Sequence, residues 1–283
     1  MNSTPSTRLI VLTTLAMMAF AGNSLLCRAA LKHTQIDAAS FTSIRLISGA
    51  LMLWLVVKIK NGKTAGSGNW PSALALFIYA AGFSFAYVTL PTATGALLLF
   101  GTVQATMIAY GLFKGERMVK LQLLGLALAL AGLVGLLLPG LSAPPLVGSL
   151  LMMAAGAAWG IYSLRGRGAG DATQVTAGNF LRAVPVSAVL GVWTLGGGSV
   201  DAQGALLALA SGALASGIGY AIWYTALPGL KATQAATVQL SVPVIAAVGG
   251  TLFLGEPMSL RLLLATVAII GGIALVIREK KTS

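Results

Sequence analysis

The sequence predicts an all-α, polytopic membrane protein: ten transmembrane helices in two inverted five-helix repeats. Three observations point there. The composition is too apolar for a soluble fold, ten apolar windows follow one another with short connections, and the two halves share collinear matches. Of 283 residues, 57% are hydrophobic and only 8% charged, with a mean hydropathy of +0.89. Soluble domains carry about 25% charged residues. The 18 basic and 6 acidic side chains present here could not clothe a water-soluble surface of this size. A soluble enzyme, a nucleic-acid-binding module and a disordered chain are therefore excluded.

A spanning helix needs about 20 apolar residues. The first candidate, 9–30, follows Arg8 and ends before Lys32 and His33; it is too long for a signal-peptide core and reads as a span. The second, 38–57, lies between Asp37 and Lys58, and the third, 71–90, opens on Pro71. Leu90-Pro91 is almost the whole connection to the fourth, 92–113, which stops at Lys114-Gly115-Glu116-Arg117. The fifth, 119–138, ends at a Pro/Gly stretch over 139–145. The second half supplies 146–164, 174–195, 205–226, 232–254 and 259–277, again bounded by charge, Gly or Pro. Cys27 is the single cysteine, so no intramolecular disulfide forms.

Basic residues orient membrane helices by collecting on the cytoplasmic side. With the N-terminus inside, 13 of the 18 basic residues fall in inner loops or tails, Arg165 and Arg167 among them. The outer side receives Arg28, Lys32 and Arg261, while Arg45 and Arg182 lie within spans. An even number of spans, with both termini cytoplasmic, fits best.

Residues 112–118 match 252–258 at five of seven positions, both carrying Leu-Phe-x-Gly-Glu-x-Met. Tyr87, Leu90 and Pro91 match Tyr224, Leu227 and Pro228; Arg45 matches Arg182, Gly22 matches Gly160, and Gly132 matches Gly272. The repeats are accordingly 1–142 and 143–283. Five helices is an odd number, so the second copy enters the bilayer from the opposite side. Inverted repeats place a substrate site near the midplane and permit alternating access.

Taken with the intramembrane Arg45 in helix two and the Gly-Glu turns after helices four and nine, this layout resembles the EamA branch of the drug/metabolite transporter superfamily. The resemblance implies a ten-helix basket, a cavity lined mainly by helices one, three, four, six, eight and nine, and export of small metabolites, with amino-acid exporters among its members. Trp159-Gly160 keeps the family's helix-six pattern, whereas helix one has Ala21-Gly22 and helix four has Val103 where helix nine has Pro243.

The six acids, Asp37, Glu116, Asp171, Asp201, Glu256 and Glu279, all fall in loops or at helix ends. Intramembrane carboxylates are the usual proton relays, and their absence from the spans predicts facilitated rather than proton-coupled transport. No catalytic group, metal site or cofactor is expected; paired aspartates, a Ser–His dyad and a metal motif cannot be assembled.

Tyr79, Phe83 and Tyr87 recur every four residues and share a helix face. Their repeat partners are Ser216, Tyr220 and Tyr224, and Trp159, Tyr162 and Trp223 join them. Such rings either line a cavity, stacking on a substrate or holding a cation, or serve packing and the interfacial belt. Tyr87 and Tyr224 lie near helix ends and read as belt residues. Asn23, Ser24, Thr102, Gln104, Asn179, Gln234, Gln239 and Ser241 are polar groups in hydrocarbon that must find partners. Gln239 stands out because Pro243 leaves its carbonyl without a helical donor. Arg45 and Arg182 read either as anion ligands or as snorkelling groups that tie helix-end carbonyls; the second reading is preferred because helices two and seven lie outside the cavity set that the resemblance implies. Glu116 and Glu256 are structural or gating candidates expected to cap the helix that follows each.

The predicted partners are a small-molecule substrate and the lipid bilayer, with no nucleic acid. One chain supplies both halves, which permits a monomer and leaves a dimer open. Beside amino-acid export stand two further readings: efflux of toxic aromatic or cationic compounds or sugar-like solutes, and a non-transporting subunit or flippase partner.

Overall fold

The computed structural model describes residues 7–61, 67–115, 117–138, 140, 143–166, 170–193, 198–230, 235 and 238–277. Among these, ten helical rods follow one another: α1 Thr7–His33, α2 Ala38–Asn61, α3 Trp70–Tyr87, α4 Thr92–Phe113, α5 Lys120–Leu137, α6 Leu146–Gly166, α7 Ala172–Trp193, α8 Ala202–Gly229, α9 Ser241–Leu254 and α10 Leu260–Ile277. Nine of the described helices are long and apolar enough to cross a bilayer; α9 is shorter. The expected all-α polytopic fold is borne out. Within the predicted span nine, 232–254, a turn at Leu240 separates helical Val238 and Gln239 from the regular helix that begins at Ser241. Pro243 explains this locally, since a proline in a first turn needs no helical donor site of its own.

Helix starts are held by the acids. Asp37 accepts from the N–H groups of Ala39 and Ser40 at the start of α2, Asp171 from Thr173 and Gln174 at α7, and Asp201 from Gly204 at α8. A carboxylate there satisfies orphan donors and meets the positive end of the helix dipole. Asn69 caps α3 through Ser72 N–H, with Pro71 beside it. Asp37 also accepts from Ser199 N–H, and Asp201 from Gln35 N–H, so the α1–α2 and α7–α8 connections grip each other across one face. Burial acts to raise the Asp37 pKa, but the hydrogen bonds from Ser40, Ala39 and Ser199 outweigh it and hold the carboxyl below its ordinary value.

The tightest pairs are α5 with α10, α8 with both α1 and α2, α3 with α6, α2 with α7 and α4 with α6. Further contacts join α1 to α9, α3 to α7, and α4 to α9. Replacing each helix by the one five positions away turns this set of pairs into itself. Close approach depends on glycine. A Cβ on Gly125 would strike the Gly272 carbonyl and one on Gly272 the Gly125 carbonyl, so α5 and α10 touch backbone to backbone. On α8, Gly212 lies against the Arg45 carbonyl and the Ser48 hydroxyl of α2.

The eight residues Ser211–Ile218 within α8 form a π-helical segment. Gly212 and Gly217 let this widened stretch press on α2, and Ser211 and Ser216, five residues apart, both point to polar side chains of neighbouring helices.

Two predictions follow from this packing. Gly212→Val, with no room against the backbone of α2, should destabilise by about 1–3 kcal/mol, read as a lower melting temperature in detergent, whereas Gly22→Ala, which meets open space, should leave it unchanged. Because the Asp37 pKa is lowered on folding, its stabilisation is full above the ordinary carboxylate value and is lost as pH falls through the lowered one. Asp37→Asn should therefore melt earlier than the parent at pH 7 and converge with it in acid.

Candidate functional site: a cavity closed at one end

A cavity of about 520 Å³ runs into the middle of the bundle. Its mouth is framed by Ser72 at the start of α3, Arg165 at the end of α6, Ala172 at the start of α7 and Leu227 at the end of α8. These ends share the face on which Lys58, Lys114 and Lys120 lie, here called the basic face. Inside, the lining includes Asn23, Tyr79, Phe83, Gln104, Trp159, Tyr162, Tyr220, Trp223 and Gln239, all candidates from the sequence. Pro243 is buried but lies outside the lining. Glu116 lies outside the described residues.

Trp159 is the centre of the aromatic wall. It stacks on Tyr162 and on Tyr220, each at a centroid distance of 5.2 Å, and meets Tyr79 at 4.8 Å with a tilt of 44°. Phe20 closes edge-on against Tyr220 and Trp223. Tyr162 is held by its hydroxyl, which donates to Thr176 and accepts from Asn179. Asn179 in turn accepts from the N–H of Asn69. Gln104 and Gln239 bring amides to the cavity for which the described residues provide no partner.

The structure corrects three readings of the sequence and adds to a fourth. Tyr87, expected in the interfacial belt, is fully buried; its hydroxyl donates to the Thr92 carbonyl. Tyr224 lines the cavity. Helix α7 joins the lining through Val175, Thr176 and Asn179, although helix seven stood outside the expected set. Arg165, read as an orientation signal, sits at the mouth with its guanidinium donating to Ser72 and Asn69. Its position one turn beyond Tyr162 on α6 is the signal that could have placed it there.

The two symmetry-related arginines part company. Arg182 donates to the carbonyls of Ser67 and Gly178, the carbonyl-tying role. Arg45 does not snorkel and reaches no carbonyl: it is 1% exposed, donates from Nη2 to the Tyr79 hydroxyl at 2.9 Å and from Nε to Ser216 at 3.4 Å, and lies over the rings of Tyr79 and Phe83. Asn23 donates to the same Tyr79 hydroxyl and accepts from Ser211. Four helices thus meet in one polar cluster at the cavity's inner end.

Beyond that end the bundle is shut. Arg28 and Glu256 form the only salt bridge among the described residues, Nε to Oε1 at 3.1 Å. Arg28 Nη1 also donates to the carbonyls of Tyr87 and Val88 at the end of α3, and Glu256 Oε2 accepts from Thr92 N–H at 2.7 Å at the start of α4. Glu256 therefore caps α4, across the repeat boundary, instead of α10, the helix that follows it. The reason is reach: the left-handed Gly255 turns the chain inward, and the residue after it is buried at 6% exposure. Four elements are clasped at one point on the face opposite the basic one.

A multi-pass helical bundle with an aromatic and polar cavity, open at one face and closed at the other, is the build of a membrane transporter. The EamA-like transporter family matches residues 146–278. Uncharacterized protein PA1977 of Pseudomonas aeruginosa is 59% identical over 98% of this chain and 96% of its own length. The threonine/homoserine exporter RhtA of Escherichia coli is 30% identical over 96% of this chain and 92% of its own. A solved crystal structure superposes with a TM-score of 0.67, covering 96% of this chain and 98% of that one, at 18% identity. The chain belongs to the EamA-like transporter family, whose members are transporters and not enzymes.

Leaving either partner of the clasp alone in the interior should cost about 3–5 kcal/mol. Arg28→Met and Glu256→Gln should each lower the melting temperature strongly, and the double variant should lose less than the sum of the two, which a double-mutant cycle in detergent measures.

Proposed function

We propose that this chain exports small metabolites, amino acids or close relatives, across the bacterial inner membrane by alternating access. Both termini lie in the cytoplasm, and the repeats 1–142 and 143–283 exchange roles between the two states. The lining of the cavity is the observation that carries this reading. Rings, amides and hydroxyls surround a space of about 520 Å³, within the range of small-ligand pockets. No carboxylate is among its lining residues, which suits a zwitterion and argues against a site built for a cation. The similarity to an exporter of threonine and homoserine supports the same class.

With the basic face cytoplasmic, as the positive-inside rule requires, the cavity stands open to the cytoplasm and the Arg28–Glu256 clasp closes the outer end. Release then requires the clasp to part. Transport is facilitated: the described acids are engaged at helix starts or in the clasp, leaving no carboxylate in the cavity to carry a proton. The three-ring stack of Tyr162, Trp159 and Tyr220 supports a second reading, efflux of aromatic compounds.

Extracellular metabolite profiling of bacteria overexpressing the chain should show amino acids accumulating outside. The Trp159→Ala plus Tyr79→Ala variant should reduce that accumulation by about tenfold, as loss of two aromatic contacts implies. Accumulation of aromatic non-amino compounds instead would favour the second reading, and no difference from empty vector would refute both. In proteoliposomes the efflux rate should be indifferent to an imposed pH gradient.

A further inference from the structure

Among the described residues, Arg45 is a buried cation without a countercharge. An arginine stays protonated in proteins and offers five N–H donors. Here Nη2 and Nε have partners, and Nη1, fully buried, has none. The described carboxylates are all placed elsewhere, at the starts of α2, α7 and α8 and in the clasp. Two aromatic faces and a phenol soften the burial but do not cancel a full charge in a low-dielectric interior. Charges kept at such depth inside a membrane bundle mark a substrate path far more often than they mark packing.

Tyr79 connects this charge to the cavity. Its hydroxyl accepts from Arg45 Nη2 and from Asn23 Nδ2. A phenol oxygen that already accepts two hydrogen bonds has its own O–H left to give, and Tyr79 lines the cavity. Polarised by the guanidinium behind it, that O–H is a strengthened donor. Asn23, Phe83 and Tyr220 line the cavity beside it.

We infer that the transported molecule carries a carboxylate, seated at the Asn23–Tyr79 end of the cavity, and that Arg45 selects it by acting through the Tyr79 hydroxyl. Arg45 is thus a positioning and charge-selecting residue, and the cavity discriminates against the same molecule with its carboxylate masked. The inference rests on the exporter reading above and narrows it from small metabolites to acids.

The test compares three acids with their amides on the purified full chain in lipid nanodiscs: L-threonine with L-threoninamide, L-phenylalanine with L-phenylalaninamide, and phenylacetate with phenylacetamide. Affinities are read from ligand-induced shifts in melting temperature. The parent protein should bind at least one acid about tenfold or more tighter than its amide, the size of one charge interaction across a partly desolvated site. Arg45→Met should bring that ratio near one while the ligand-free melting temperature holds or rises, since it removes an uncompensated charge. Arg45→Lys should restore most of the ratio. Should Arg45→Met fail to fold, Tyr79→Phe, which removes the relaying hydroxyl and keeps the ring, should lower the ratio alike. An unchanged acid-to-amide ratio in Arg45→Met and Tyr79→Phe overturns the inference, as does a parent that prefers the amides. Binding of phenylacetate but of neither amino acid would refute amino-acid export and leave the role of Arg45 standing. A parent stabilised by none of the acids removes both.

Discussion

The closed end of the basket hangs on Glu256. A buried carboxylate is tolerated only where its charge and lone pairs are met, and here Arg28 and the first N–H of α4 meet them. Arg28 Nη1 donates to the carbonyls of Tyr87 and Val88 at the end of α3. The α3–α4 connection, the four residues 88–91, thus has two carbonyls at one end and an N–H at the other met by side chains from α1 and from the α9–α10 turn. In hydrocarbon those groups have no water to fall back on. The clasp is therefore a capping arrangement first, and its position across the repeat boundary makes it a seal as well.

The same demand for partners organises the interior. Asn23, Arg45, Tyr79, Ser211 and Ser216 come from four helices and hydrogen-bond to one another, with Arg45 Nη1 left without a partner. At the basic face, Asn69, Asn179, Tyr162 and Thr176 form a second cluster that fixes one ring of the aromatic stack. Trp159 lies between the two, held only by rings. The cavity is rigid where hydrogen bonds anchor it and adaptable where stacking alone supports it.

Much of this was legible in the sequence, because membrane helices announce themselves by length and by flanking charge. The fold class and the aromatic candidates came from periodicity and from collinear matches between the halves. What escaped was anything set by contact across helices. Tyr87 sits near a helix end and looked interfacial, yet α4 folds back over it. Arg45 and Arg182 occupy equivalent places and were read alike, but only Arg182 reaches carbonyls. Glu256 belonged by sequence to α10 and by geometry to α4. No one-dimensional pattern carries such pairings, since each depends on which helix lies alongside.

The widened stretch of α8 aims the cavity wall. Along that helix the lining runs Ala215, Tyr220, Trp223, Tyr224, Leu227, a step of five followed by steps of three, one and three. Ser216, the repeat counterpart of Tyr79, turns instead toward Arg45. A π segment holds surplus chain relative to an α-helix, and each surplus residue rotates everything downstream by about 100° about the axis. Drawn tight into regular α-helix, α8 would swing Tyr220 and Trp223 off the cavity and leave Trp159 stacked on one side only. The orientation of half the aromatic wall is thus stored as surplus chain wound into the helix at Ser211–Ile218.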